Sequence, residues 1–245
     1  MATDERRSYP EALERLTAAQ KPGAGVPAYL RWVNRGLGRR AAAVAYVARW
    51  SPNQVTAVSM LLSLAGMVVL AAVEASVVSA IAASVLLLAG YALDSADGQL
   101  ARLTGGGSVA GEWLDHVIDA FRLPLFHVAV TVYLLRETGS LALAGIGVAF
   151  SVLASAWFFA QTLAEKLAPG ASDGSTDAPV WVSFAKLPYD VGVLYLIVLT
   201  AAWPAVFLSA YVALLVITAA VAVLSMGRKY RGLARSKVAV AAHRE

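Results

Sequence analysis

From Val55 onward the chain is a succession of apolar runs separated by short polar connections. Each run approaches the roughly 20 residues that an α-helix needs to cross a bilayer. The pattern predicts spans over about 53–73, 77–97, 110–135, 141–164, 188–203 and 205–226. Upstream of them, Tyr29, Leu30, Val33, Leu37, Ala41, Val44 and Ala45 alternate with Arg31, Arg35, Arg39 and Arg40 at helical spacing. That is the pattern of a helix lying in the membrane interface. Residues 1–25 are polar and end in the turn signal Lys21-Pro22-Gly23, so they read as a cytoplasmic extension with little visible chemistry. The expected fold is an all-α integral membrane bundle of six transmembrane helices preceded by an amphipathic interfacial helix. Its expected organisation is extension 1–25, interfacial helix 26–50, six-helix transmembrane catalytic domain 51–227 and basic cytoplasmic tail 228–245.

Composition agrees with a bilayer. Of 245 residues, 59% are hydrophobic and only 15% charged, too apolar for an ordinary soluble domain. The net charge of +4 invites nucleic acid as a partner, but the basic residues flank apolar runs, so no nucleic acid is expected. Arg102, Lys166, Lys186, Arg228, Lys229, Arg231, Arg235 and Lys237 fall on one side of the predicted bundle. The other side holds Glu74, Arg136, Glu137 and the Trp203-Pro204 turn. Both termini are therefore expected in the cytoplasm. The charged start, Asp4 to Arg7, lacks the short apolar core of a cleavable signal peptide, so the first span is expected to lead insertion. Absence of cysteine removes disulfides and thiolate metal sites and leaves oxygen and imidazole ligands.

Ionisable side chains at bilayer depth are costly and mark sites. Here they concentrate in LDSADGQLARL at the end of the second predicted span and GEWLDHVIDAF at the start of the third. On helices, Asp94 and Asp97 are i, i+3 neighbours, while Gly111, Asp115 and Asp119 fall on one stripe. The connection from Leu103 to Ala110 is short and holds Gly105, Gly106 and Gly107, which makes the two helices antiparallel neighbours with converging acidic faces. The glycine run lacks a following Lys-Ser/Thr and reads as a turn, not a phosphate-cradling loop. Four carboxylates this close repel one another unless a hard divalent cation joins them; magnesium is the default and manganese the second choice. Two ions about 4 Å apart would form a clamp for phosphoryl displacement. Gly98 and Gly111 leave room for a ligand, although close helix packing explains either glycine as well.

Written out, the pattern is DxxDGxxAR, eight residues, then GxxxDxxxD. In this pattern the chain resembles the CDP-alcohol phosphotransferase family. The six-span layout, the amphipathic N-terminal helix and the Pro52-Asn53-x-x-Thr56 element are similar too. The resemblance implies that Asp94, Asp97 and Asp115 are metal ligands and that Asp119 touches the metal site and acts as general base. It implies a CDP-linked donor held at Gly98, Ala101 and Arg102, with CMP as leaving group. Asn53 and Thr56 are then nucleotide contacts, with a helix N-cap as an equally good explanation of either. The favoured donor is CDP-diacylglycerol with a polar alcohol acceptor, in phospholipid biosynthesis at a bacterial cytoplasmic membrane with the active site on the cytoplasmic side. The alternative is a soluble CDP-alcohol with a lipid acceptor such as diacylglycerol. A homodimer is implied by the resemblance alone.

Acceptor recognition is thinner. Family members that use phosphorylated acceptors tend to carry an ARAE-like run near the end of the fourth span. Here Thr162-Leu163-Ala164-Glu165 has leucine in place of the arginine, which counts against such an acceptor. Arg122, Lys166 and Lys186 are possible acceptor-binding substitutes, and Arg122 is equally placed to pair with Asp119 three residues earlier. His116 points away from the acidic stripe and reads as a packing or interhelix residue, and His127 as a buried helix contact. The stretch Asp173 to Asp177 reads as a solvated connector. Two other classes fit less well. A polytopic prenyltransferase separates its acidic motifs more widely, and a cation transporter carries its acids toward the bilayer centre on several helices.

Overall fold

The structure, a computed structural model, describes residues 7–167 and 178–242, with side chains as far as residue 235. Among the described residues every regular element is helical. Short helix α1 (Tyr9–Ala18) comes first. A π-helical stretch, Tyr29–Asn34, then runs into α2 (Arg35–Val47). Helix α2 is two-faced: Ala42, Ala43 and Ala45 are buried toward the bundle, while Leu37, Val44 and Val47 are exposed. An exposed apolar stripe beside an arginine-bearing face is what an interfacial helix presents to lipid.

The spanning helices begin on side-chain caps. Ser51 accepts the backbone N–H of Gln54 and Gln54 accepts that of Ser51, with Pro52 in the first turn of α3 (Pro52–Ala72). The N-cap is therefore Ser51, which removes capping as the explanation for Asn53 and Thr56. A similar box on Ser76 opens α4 (Val77–Thr104), which ends at Gly105 in the left-handed conformation, φ 64°. Ser108 caps α5 (Val109–Thr138), and α6 (Leu141–Leu167) returns. Helices α3 and α4 pack through small residues: Ser59 Oγ donates to the carbonyl of Gly90 at 2.8 Å. A Cβ on Gly90 would lie 2.9 Å from the carbonyl oxygen of Ser59 and collide with Ser63 Oγ, so only glycine permits this approach.

The fifth span departs from the sequence expectation. It is a broken pair: α7 (Val180–Ala185) with the 3-10 turn Leu187–Tyr189, then α8 (Val191–Leu196) with the 3-10 turn Ile197–Ala202, the halves bent by 47°. Asp190 stands at the break, its carboxylate accepting the N–H groups of Gly192 and, from the interfacial segment, Leu30, each at 2.9 Å. Pro188, just before it, lacks the N–H that a continuous helix needs. The span therefore starts at Val180, earlier than the predicted 188, and bends where it is tied to its neighbour. The last span, α9 (Pro204–Ala242), also outruns its predicted end, carrying much of the basic tail as helix. Among the described residues five helices are long and apolar enough to cross a membrane, six with the bent pair counted as one span.

A second departure lies at the N-terminus. The segment expected as a bare polar extension contains α1, whose Ala12 and Leu16 are buried against Ala42, Ala43, Leu100 and Leu103. These two residues are one helical turn apart and share a face, which a mean over the segment conceals. Deeper in the bundle the core is aromatic, built on Phe126, Tyr133, Tyr195, Phe207 and Tyr211. Here His127 meets the Tyr211 hydroxyl at 2.6 Å between α5 and α9, in the helix-contact place the sequence suggested. The connector Asp173 to Asp177 lies outside the described residues.

Candidate active site

Helix α4 runs on past position 97 to Thr104, so the whole DxxDGxxAR stretch is helical, and α5 opposes it across the turn from Gly105 to Ser108. This hairpin brings one carboxylate oxygen each of Asp94, Asp97 and Asp115 within 4.8 Å of one another, a set that could hold a metal ion. The donors are all carboxylate oxygens, the chemistry of a hard dication. Asp97 is the buried member; Asp94 and Asp115 are half-buried. Thr56 on α3 donates to Asp97 Oδ2 at 2.6 Å, and the backbone N–H of Gly98 lies 2.5 Å from its Oδ1. Thr56 thus fixes the direction in which Asp97 presents its free lone pairs, a supporting role that spacing along the chain does not reveal.

Asp119, one turn further along α5 than Asp115, is not among these three. Buried Arg122 reaches both it and Asp94: its Nη1 is 2.5 Å from Asp94 Oδ1 and 3.2 Å from Asp119 Oδ1, while Nη2 donates to Ser59 Oγ at 2.9 Å. Arg122 thus pairs with the carboxylate three residues before it, one of the two uses open to it from sequence.

Two cavities, each of about 430 Å³, meet at Asp97, Gly98 and Asp115. One is bounded by Asn53, Thr56, Ala101 and Gly111. The other contains Asp94, Asp119, Arg102 and Arg122, and continues to Lys21 and Arg35. Gly98 opens onto both, and beyond its own helix backbone a Cβ there would come no closer than 3.6 Å to its surroundings, at the Arg102 guanidinium. Packing within the protein does not demand glycine at this position, whereas a ligand lying across it would.

Two sequence candidates are engaged elsewhere. Lys166 is exposed and paired with exposed Glu112 at 2.7 Å, and Lys186 donates to the carbonyl of Gly25 at 2.7 Å; neither lines the cavity that holds Asp119. His116 faces Glu112 on its own helix at 3.9 Å. In their place the cavity takes Gln20, Lys21, Asn34 and Arg35 from the N-terminal segment. Burial, together with the like charges of Arg102 and Arg31, pushes the Arg35 guanidinium below its usual range, and its Nη1 donates to the carbonyls of Lys21 and Pro22.

No curated protein matches the chain. The family model for CDP-alcohol phosphatidyltransferase matches residues 49–227, from just before α3 into α9 and across every carboxylate of the cluster. The chain accordingly belongs to the CDP-alcohol phosphatidyltransferase family, membrane transferases that move a substituted phosphate from a CDP-alcohol to an acceptor alcohol in phospholipid biosynthesis.

Proposed function

We propose that the chain transfers the phosphatidyl group of CDP-diacylglycerol to a polar alcohol and releases CMP. The observation that carries this reading is the carboxylate cluster beside two cavities, with Asp97 and Asp115 at their junction and Asp94 and Asp119 in only one of them. Cytidine and its phosphate occupy the side of Asn53, Thr56, Ala101 and Gly111, and the acceptor enters on the side of Asp119. Asp94, Asp97 and Asp115 would hold magnesium or manganese, in all two ions with Asp119 touching the site. When bound, the metal neutralises the diphosphate and stabilises the charge that develops on the attacking and leaving oxygens.

The acceptor hydroxyl attacks the phosphorus that bears the lipid. Its oxygen forms the new ester bond, the bond from that phosphorus to the bridging oxygen breaks, and CMP departs with the electron pair. Asp119 accepts the hydroxyl proton, and Arg122 holds that carboxylate in place at 3.2 Å. Arg102, one turn beyond Gly98, meets the diphosphate.

A lipid substrate is favoured by an apolar cavity of about 210 Å³ that adjoins the Asp119 cavity through Leu123, Phe158 and Val191. It offers an alkyl chain a dry path from the reacting phosphorus. A soluble CDP-alcohol with diacylglycerol as acceptor is the alternative reading. The site faces the cytoplasm of a bacterial membrane in this proposal, supported by the basic residues at that end of the bundle, and the enzyme works as a homodimer.

Purified protein supplied with labelled CDP-diacylglycerol, magnesium and a panel of polar alcohols tests the reading. CMP release is expected with one class of acceptor and is expected to be lost in Asp115→Asn and Asp119→Asn. Undiminished release in either variant would overturn the assignment.

A further inference from the structure

We infer that the N-terminal segment is a substrate-binding wall of the catalytic cavity, in which Lys21 and Arg35 take a phosphate group carried by the acceptor. The inference rests on the proposed function for the identity of the acceptor side. It concerns residues that precede position 49, where the family match begins.

The segment is built into the site. Ala12 and Leu16 are fully buried, which anchors α1 on α2 and α4. Gln20 Nε2 donates to Gln99 Oε1 at 2.7 Å and to the carbonyl of Leu16 at 2.8 Å, and Arg15 reaches the carbonyl of Leu103 at 3.3 Å. Arg35 then clamps the carbonyls of Lys21 and Pro22 at 3.0 and 3.1 Å. The main chain at Lys21 is thereby held from both sides, and its side chain lies at the mouth of the cavity that contains Asp119.

The charges of this cavity point to an anion. Its lining carries four acidic side chains, Asp94, Asp97, Asp115 and Asp119, and four basic ones, Lys21, Arg35, Arg102 and Arg122. The protein alone is thus balanced there, and each dication added leaves a surplus of positive charge for the substrates to meet. The doubly charged diphosphate of the donor answers one dication. The basic side chains not engaged by the donor suit a further anion, and a phosphomonoester carries about −1.5 to −2 near neutral pH. Of the four cations, Arg122 is committed to Asp94 and Asp119, and Arg102, in this same cavity one turn from Gly98, is assigned to the donor's diphosphate. The Lys21 ammonium acts on Asp115 and Glu112 through its charge, and the Arg35 guanidinium donates to backbone carbonyls. These two are left for the acceptor. They also explain how a phosphorylated acceptor is accommodated although Leu163 stands where an arginine would be expected.

The test uses the full chain in neutral detergent micelles with magnesium, with inorganic phosphate as the probe. Calorimetric titration is expected to show saturable phosphate binding by the wild type. Lys21→Met should weaken it about tenfold, the loss expected for one hydrogen bond to a charged group, and Lys21→Arg should restore it. Arg40→Gln removes an exposed charge outside the cavity lining and should leave it unchanged. In turnover, Lys21→Met should raise KM for a phosphorylated acceptor about tenfold while KM for CDP-diacylglycerol holds. Equal phosphate binding by wild type and Lys21→Met overturns the inference. So does a rise in donor KM alone, which would assign Lys21 to the diphosphate, and so does an equal loss in Arg40→Gln, which would mark a general surface charge effect. Failure of the wild type to release CMP from any donor, with phosphate binding still dependent on Lys21, would sink the proposed activity and leave the anion site standing.

Discussion

Arg122, near the middle of α5, reaches across to α4 and donates to Asp94 at 2.5 Å. The pair joins the two halves of the acidic motif beside the carboxylate cluster, and the same guanidinium nitrogen holds Asp119. Because Arg122 is buried, its removal leaves carboxylates facing one another in a partly dehydrated site. Breaking a buried pair from one side costs about 3–5 kcal/mol. Arg122→Gln is therefore expected to lower the thermal unfolding midpoint in detergent well below that of Arg122→Lys. Added magnesium should recover part of the loss by supplying the missing positive charge.

Metal dependence has a readout apart from turnover. A ligand bound only by the folded state raises the unfolding midpoint with its concentration. Magnesium or manganese should do so in the wild type and much less in Asp97→Asn. Chelation should reduce CMP release to background, and either ion should restore it. Full activity after exhaustive chelation would contradict the role given to Asp94, Asp97 and Asp115.

Thr56 contributes through Asp97. Thr56→Val keeps the volume and removes the hydroxyl that donates at 2.6 Å. Losing such a supporting hydrogen bond typically costs about 10–100-fold in metal affinity or activity. The magnesium concentration for half-maximal CMP release should rise at least about tenfold, with little change in thermal midpoint at saturating metal.

Two glycines on α4 separate packing from ligand access. Gly90→Ala forces a methyl into the carbonyl of Ser59 and should destabilise the fold, by about 1–3 kcal/mol for such overpacking. Gly98→Ala meets open space in the protein and should leave the thermal midpoint alone while raising KM for the CDP donor. An equal thermal cost at both positions would argue against a ligand lying over Gly98.

Lys166→Met is expected to leave acceptor KM within about twofold, since exposed ion pairs contribute little. Lys186→Met should loosen the segment at Gly25 instead, raising hydrogen exchange there. A large rise in acceptor KM for Lys166→Met would return that residue to the acceptor site.

The acidic hairpin was legible because every relationship in it is local. Asp94 and Asp97 are three residues apart, Asp115 and Asp119 four, and the short glycine-bearing turn leaves the helices no arrangement but an antiparallel one. The apolar runs were legible for a similar reason: in a bilayer backbone hydrogen bonds must close within the segment, so length and composition settle the element. Bounds were less legible. Nothing in the pattern says that α4 continues through Gly98 to Thr104, or that the fifth span bends at Asp190, since the bend depends on a bond to Leu30 far along the chain.

Long-range partners escaped for the same reason. Thr56 with Asp97, Ser59 with Arg122 and Gln20 with Gln99 join residues 41, 63 and 79 positions apart. No periodicity links such pairs, and Lys166 and Lys186 looked suitable only because charge and topology place them near the site's end of the bundle. By itself the sequence determined the four aspartates, the pairing of the two helices that carry them and the membrane as solvent, because spacing and transfer free energy act locally. The folded chain alone decided which cations face those aspartates. It withdrew Lys166 and Lys186 into other contacts and, through the buried Ala12 and Leu16, set Lys21 and Arg35 at the cavity.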